Sequence, residues 1–490
     1  MDDDSDNLIQ VEDFLVPIEQ KETYKEVNVS EELDEKQTEH IMTTLKQFCD
    51  VLTDLPGLTD LVEHTVHLTT AEPVRSKAYP EPYAMRETIK SEIDTMLQMG
   101  IIEPSESPYA SPIVIVKKQD GSIRFCIDFR KLNRVTVIDP EPIPNVDELL
   151  IRISNAKWFT KLDLTKGYWQ IVVASNDKCK TAFISNEGLY QFKVLPFGMV
   201  NSSATFTRMM RKLLKGLKSV VNYIDDVLIF TTTYDEHVFM LNEVFRRLRD
   251  AGLTARPTKC FVGYHSLDFL GHMVGEGLLK PQSDKVNEIL EASIPKTKKE
   301  VRSFLGLVGY YRKFIPHFAA IAVPLTDLTK SKYPNKVRLE EPQERAFQTL
   351  KCRIATSPIL HLPDIDKVFI LQTDASDVGL GAVLLQEFDG TKFPIHYASK
   401  KLLPREVAYS VVERECLALV WAVTKFHVYL YGRQFILETD HYPLTYLSQA
   451  KLKNSRIMRW ALCLQQYRYT IRAIKGSDNC GADFLSRCGA

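Results

Sequence analysis

Apolar positions along the chain recur first at helical spacing and then at strand spacing. Ile89, Ile93, Met96 and Leu97 line one face of a helix that Gly100 stops, entered from an extended linker over 72–82 carrying Pro73, Pro80 and Pro82. Strands follow. Residues 113–116 and 123–127 flank Asp120-Gly121, a hairpin signal, and residues 183–184 and 189–194 flank Asn186-Glu187-Gly188 in the same way. Helical spacing returns over 235–250 with Val238, Leu241, Phe245 and Leu248, ended by Gly252. Residues 283–363 read mainly as helices broken by Pro295, Pro316, Pro324, Pro342 and Pro358. After Asp364 the texture changes again. Strands are predicted at 368–373, 379–386 and 392–397, the last two joined by Asp389-Gly390, then a long helix over 406–430, a strand at 434–439, a helix at 456–466 and a strand at 467–474. The chain thus divides into a large N-terminal body and a C-terminal mixed α/β domain.

Composition changes this picture in three ways. An apolar fraction of 44% over 490 residues describes a globular chain of several domains and excludes a disordered or fibrous one. The net charge of −1 hides a split: residues 1–40 hold fourteen Asp/Glu against three Lys/Arg, and the rest carries 59 Lys/Arg against 49 Asp/Glu. An acidic tail beside a basic body fits a body that meets polyanions. The nine cysteines include no CxxC pair and no zinc-spaced Cys/His cluster, which points to a reduced compartment. No stretch approaches the roughly 18 apolar residues of a membrane span, and Met1-Asp2-Asp3-Asp4 is unlike a signal peptide, so an intracellular, unsecreted protein without a membrane partner is expected.

The candidate chemistry lies in acids. Asp225 and Asp226 stand between the apolar runs Val221-Asn222-Tyr223-Ile224 and Val227-Leu228-Ile229-Phe230. Unpaired carboxylates in such a setting are costly, so the pair either turns out to water at a hairpin or holds a cation. Asp163 again ends an apolar run, in Lys161-Leu162-Asp163-Leu164. Carboxylates from separate strands meeting at one edge are what two divalent ions require.

Tyr223-Ile224-Asp225-Asp226, Leu162-Asp163-Leu164, Leu195-Pro196-Phe197-Gly198-Met199 and Asp128-Phe129-Arg130-Lys131-Leu132-Asn133 together resemble reverse transcriptases, in order and in spacing. Ser107-Pro108-Tyr109-Ala110-Ser111-Pro112 and Phe304-Leu305-Gly306-Leu307-Val308-Gly309-Tyr310-Tyr311-Arg312 extend the likeness to the gypsy type of LTR retrotransposon. The resemblance implies a right hand of fingers, palm and thumb. It implies that Asp163 and Asp225 ligate two Mg²⁺ ions, with Mn²⁺ as a substitute, and that Asp226 completes the triad. Tyr168 would pack under the sugar of the incoming dNTP and exclude a 2′-hydroxyl, and Phe197 would lie over its base. Arg124, with Lys117 or Lys118, would contact the triphosphate. Phe269-Leu270-Gly271-His272 is similar to the hairpin that grips the primer end, although His272 suits a protein surface equally.

Four further acids, Asp374, Glu415, Asp440 and Asp483, come from separated elements of the C-terminal domain and can converge only at one end of its sheet. Individually, each is as well explained as a cap, a turn or a solvated charge. Their order, on antiparallel strands, a helix and a strand, resembles ribonuclease H over residues 364–488. The helix also offers Glu413. Two residues apart, Glu413 and Glu415 point about 200° from one another, and periodicity leaves the choice open; the family register selects Glu415. Retroviral relatives carry a histidine shortly before the last Asp, whereas none lies between His441 and Asp483.

The resemblance therefore implies an α/β and α+β multidomain chain. Its parts would be an acidic, partly disordered segment over 1–70, fingers and palm over 71–282, a mainly helical thumb or connection over 283–363 and an RNase H domain over 364–490. Two ions would serve each site. Partners would be an RNA template, a DNA primer, RNA–DNA hybrid and dNTPs, with the protease and integrase of the same element, in a cytoplasmic retrotransposon particle. Basic residues Arg208, Arg211, Lys212, Lys215 and Lys218, and Lys296, Lys298, Lys299 and Arg302, are candidate phosphate contacts. The competing reading is a host-retained, catalytically silent nucleic-acid-binding protein of the same fold.

Overall fold

The computed structural model describes residues 20–80, 82–117, 123–356, 358–439 and 455–474. Two compact bodies emerge: residues 1–145 with 157–265, and residues 146–156 with 266–490.

The first body is built on a five-stranded sheet in the order Asn28–Val29, Phe261–Tyr264, Trp158–Asp163, Asp226–Thr231, Val220–Tyr223. Helices Glu35–Gln47, Ser202–Leu213 and Tyr234–Asp250 close its core through Ile41 and Leu45, Phe206 and Met210, and Leu241 and Phe245, all 0% exposed. The last of these helices follows its sequence pattern closely. Thr233 caps it by accepting from the Glu236 amide, Asp235 and Glu236 sit in its first turn, and Arg247 and Arg249 in its last, each favourable to the helix dipole. The acidic N-terminal segment is, from Gln20 onward, part of this body: Asn28–Val29 pairs with Phe261–Tyr264, and Thr59–His64 pairs with Ile171–Val173. Its loop over 55–58 lies so close to Gly252 that a Cβ on Gly57 would fall 2.1 Å from the Gly252 carbonyl oxygen. Backbone there cannot yield as a side chain could, so Gly57→Ala is expected to lower the melting temperature by about 5 °C, read by calorimetry.

A second sheet of the same body runs Ile102–Pro104, Gly188–Phe192, Phe183–Ser185, Ser111–Lys117, Ile123–Ile127. The helix Arg86–Gln98 covers its apolar cluster with Ile89, Ile93 and Met96, and Gly100 follows at φ 67°. Both hairpins expected here form.

The second body opens with the antiparallel strands Ser266–Phe269, His272–Gly275 and Leu278–Pro281, joined by Leu360–His361. Leu270 and Gly271, at φ 49° and 70°, make a two-residue turn whose carbonyls accept from the Tyr310 and Tyr311 hydroxyls, both at 2.7 Å. The Tyr310-Tyr311 motif thus clamps this hairpin. His272 is buried against Tyr310, Tyr311 and Phe314, so the surface alternative for it is excluded. Helices Ser283–Glu291, Lys298–Tyr310, Phe318–Leu328 and Glu341–Ala355 follow, and Pro324, expected to break a helix, lies inside the third of them.

The C-terminal sheet has the order Thr391–Lys401, Gly379–Phe388, Phe369–Ala375, Gln434–Thr439, Arg468–Ala473, with the last two pairings parallel. Here too an expectation changes. The long helix over 406–430 is three pieces, Pro404–Val407, Val411–Lys425 and His427–Leu430. Ser410 restarts the second as a capping box with Glu413, which requires extended backbone at Ser410.

Candidate active site

The register of Trp158–Asp163 against Asp226–Thr231 sets Asp163 directly opposite Asp226. On the other side Tyr223 pairs with Asp226, leaving Ile224 and Asp225 as the hairpin turn. Ile224 takes φ 51°, a strained conformation for a β-branched residue, held by packing against the core. Asp225 Oδ1 is buried, and among the described residues no hydrogen-bond donor reaches it. Burial first, then the charges of Asp163 and Asp226, push its carboxyl up to about 6. Burial also raises Asp163, against the lowering influence of Lys259. Behind the turn, a Cβ on Gly167 would come within 3.0 Å of the Phe206 ring and 3.5 Å of Asp225 Oδ1, so only glycine leaves this wall undisturbed.

Three carboxylates gathered on one edge, one with an orphaned buried oxygen, fit hard divalent cations in charge and donor type. Among the described residues, no three ligating side chains converge on one point as they stand. The outer two acids are instead turned onto lysines, Asp163 to Lys259 and Asp226 to Lys161.

Tyr168 lies beside this edge, 9% exposed. Its hydroxyl shares a 2.9 Å hydrogen bond with Ser203 Oγ, and its ring centroid is 5.0 Å from that of Phe197 and 5.4 Å from that of Phe206. Phe197 is 38% exposed, on a turn stapled by Asn133, whose Nδ2 donates to the Gly198 carbonyl at 2.9 Å and whose Oδ1 accepts from the Val200 amide at 3.0 Å. Two of the motifs are thereby bonded to each other. Asp128 of the same motif holds Arg130 through two 2.8 Å hydrogen bonds. In the fingers hairpin, Val116 pairs with Arg124 and Lys117 with Ile123. The side chains of Lys117 and Arg124, and all of Lys118, lie outside the described residues.

In the second body, Asp374 lies near the end of Phe369–Ala375, opposite Gly381, and is 5% exposed. Glu415 is likewise 5% exposed. Ala375 and Ala418 share one apolar cluster, so the strand end and the helix stretch that carry these acids are packed together. Glu413 is engaged elsewhere: its carboxylate accepts from the Ser410 amide at 2.9 Å and from Arg456 Nη1 at 2.7 Å. Asp440, His441 and Asp483 lie outside the described residues.

Five of the nine residues in the basic clusters make contacts within the fold. Arg208 is paired with Asp139 at 2.5 Å, and Arg211 with Glu141 at 2.6 Å. Lys212 donates to the Leu61 carbonyl. Lys298 is buried and donates to the Lys330 carbonyl, and Arg302 donates to that of Thr329, so both tie helices together. These five side chains brace the fold.

Residues 116–274 match the family described as "Reverse transcriptase (RNA-dependent DNA polymerase)", and residues 364–467 match "RNase H-like domain found in reverse transcriptase". The Pol polyprotein of the Drosophila melanogaster transposon gypsy is 38% identical over 500 residues, covering 98% of this chain and 47% of that protein. The chain carries a reverse-transcriptase domain followed by an RNase H-like domain, and its homologues are Pol polyproteins of gypsy and related LTR transposons.

Among other retrotransposon Pol proteins, that of the Drosophila transposon 297 is 42% identical over 436 residues, covering 88% of this chain and 41% of its own. The Tf2-3 polyprotein of Schizosaccharomyces pombe is 33% identical, covering 90% of this chain and 34% of its own. The chain thus spans less than half the length of these curated relatives. In fold it is similar to a foamy viral protease–reverse transcriptase solved in complex with double-stranded DNA, with TM-score 0.84 and 22% identity, over 94% of this chain and 83% of that one. Among the described residues, no helix is long and apolar enough to cross a membrane. In this chain, sequence reading missed Lys161, Lys259 and Ser203. The one signal for Lys161 is its place two residues before Asp163, which puts both on one strand face.

Proposed function

We propose that the chain is an RNA-directed DNA polymerase that also degrades the RNA strand of RNA–DNA hybrids. The single observation that carries this reading is the register pairing Asp163 with Asp226, with Asp225 on the intervening turn. Residues 71–282 serve as fingers and palm, 283–363 as thumb or connection, and 364–490 as the RNase H domain. RNA template, DNA primer and dNTPs are the substrates. The protease and integrase of the same polyprotein are the expected partners, inside the cell.

Asp163 and Asp225, supported by Asp226, would hold two Mg²⁺ ions, and Asp374, Glu415, Asp440 and Asp483 two more. Bound ions supply an activated hydroxyl or water and neutralise the leaving oxygen. The protein's own part is positioning. Asp225 is poised by burial so that its charge is best satisfied by a cation, and the rigid sheet edge fixes the spacing of all three acids. Arg124 and Lys117 would meet the triphosphate, and Phe197 the base. Tyr168, locked between Phe197, Phe206 and Ser203, presents a wall that cannot retreat from an added 2′-hydroxyl.

Extension of a DNA primer on an RNA template with dNTPs and Mg²⁺, beside a separate hybrid-cleavage assay, tests the reading. Binding of the hybrid with neither activity would overturn it. Tyr168→Ala is expected to reduce discrimination against rNTPs by about tenfold or more, measured as the ratio of kcat/KM for dNTP and rNTP.

A further inference from the structure

Two lysines outside every motif lie on the palm carboxylates. Lys161 leaves its strand on the same face as Asp163, and its Nζ reaches diagonally to Asp226 Oδ1 at 3.2 Å. Lys259 closes the short turn Pro257–Lys259, and its Nζ lies 3.3 Å from Asp163 Oδ2. That turn is fixed from two sides. The Arg256 amide donates to the Asp163 carbonyl at 2.9 Å, and Glu22 accepts from Arg256 Nη2 at 2.7 Å and from Thr258 Oγ1 at 2.8 Å. Both ammonium groups are therefore placed by architecture. Among the described residues no ammonium pairs directly with Asp225, on which Lys259 acts only at longer range.

An ammonium and a divalent cation compete for the same carboxylate oxygens. We propose that Lys161 and Lys259 are resident counter-ions of the palm edge, which a divalent cation must displace, so that they set the cation concentration at which the edge is loaded. The proposal rests on the reading of Asp163, Asp225 and Asp226 as the polymerase ion site. At low cation concentration the lysines offset the mutual repulsion of the acids by pairing with Asp163 and Asp226. At high concentration they yield, because a divalent cation carries twice the charge of an ammonium and both pairs stay open enough for water and ions to reach them, Lys259 with 56% of its side chain exposed.

The test is Mn²⁺ binding by calorimetry and electron paramagnetic resonance, on the full chain carrying Asp374→Asn to silence the second carboxylate site. Lys161→Met and Lys259→Met are each expected to tighten Mn²⁺ binding about two- to fivefold. Lys166→Met is the control: it removes an equal charge from the turn beside Asp225, but its Nζ lies over the Trp169 ring at 4.2 Å, so the effect should be smaller. Unchanged or weaker affinity in the first two variants, or equal tightening in the control, overturns the proposal. Lys161→Arg, which keeps the charge if the Met variants do not fold, should leave binding unchanged or weaker, and tightening there overturns it too. Failure of the underlying site reading looks different: Asp225→Asn would then leave Mn²⁺ binding by the otherwise wild-type palm unaltered.

Discussion

Asp225→Asn should slow DNA synthesis on an RNA template about a thousandfold or more, while cleavage of RNA–DNA hybrid stays within about twofold of wild type. The size follows from the role: charge stabilisation at such a site supplies several kcal/mol, and each 1.36 kcal/mol is about tenfold. The variant also separates chemistry from folding. Asp225 is pushed up to about 6 by burial and by Asp163 and Asp226, so its charged form opposes folding. That opposition is complete above the folded value and vanishes below the ordinary carboxylate range, so stability rises as pH falls from about 6 toward 4. Asparagine carries no such charge. With divalent ions chelated, the variant should therefore melt higher than wild type at pH 7 and converge on it near pH 4. An inactive variant that melts lower would mean the loss is structural.

How much of this was legible in the sequence depends on the range of the interaction. The helix Tyr234–Asp250 was visible because everything that makes it is local: cap, first-turn acids, apolar stripe and terminal Gly252. The acidic hairpin was visible because two apolar runs and a pair of acids dictate its turn. The break in the 406–430 helix was also readable, since Ser410-Val411-Val412-Glu413 is a capping-box pattern, but continuous helical periodicity outweighed it. Long-range pairing was not legible. Arg208 and Arg211 look like a phosphate-binding stripe until Asp139 and Glu141 arrive from about seventy residues away. The Lys259 contact with Asp163 joins residues separated by 96 positions, and nothing local signals it. The same holds for the acidic segment, whose Glu22 braces the turn bearing Lys259 from 234 positions away.

Asp374→Asn should do the reverse of Asp225→Asn, removing hybrid cleavage by about a thousandfold while primer extension persists near the wild-type rate. Glu415→Gln should share that phenotype, and Glu413→Gln should not. Only two residues separate these acids, yet their surroundings assign them different work. Glu413 closes the capping box at Ser410 and pairs with Arg456, so its loss should cost about 1 kcal/mol of stability and lower the melting temperature while cleavage continues. Glu415 is buried on a helix stretch packed at the strand end that carries Asp374, which puts the two acids on neighbouring elements of one domain. Cleavage of an RNA strand annealed to DNA, measured beside thermal melting for all three variants, decides the matter. Retained cleavage in Glu415→Gln together with loss in Glu413→Gln would transfer the catalytic role to Glu413 and overturn the register drawn from the family.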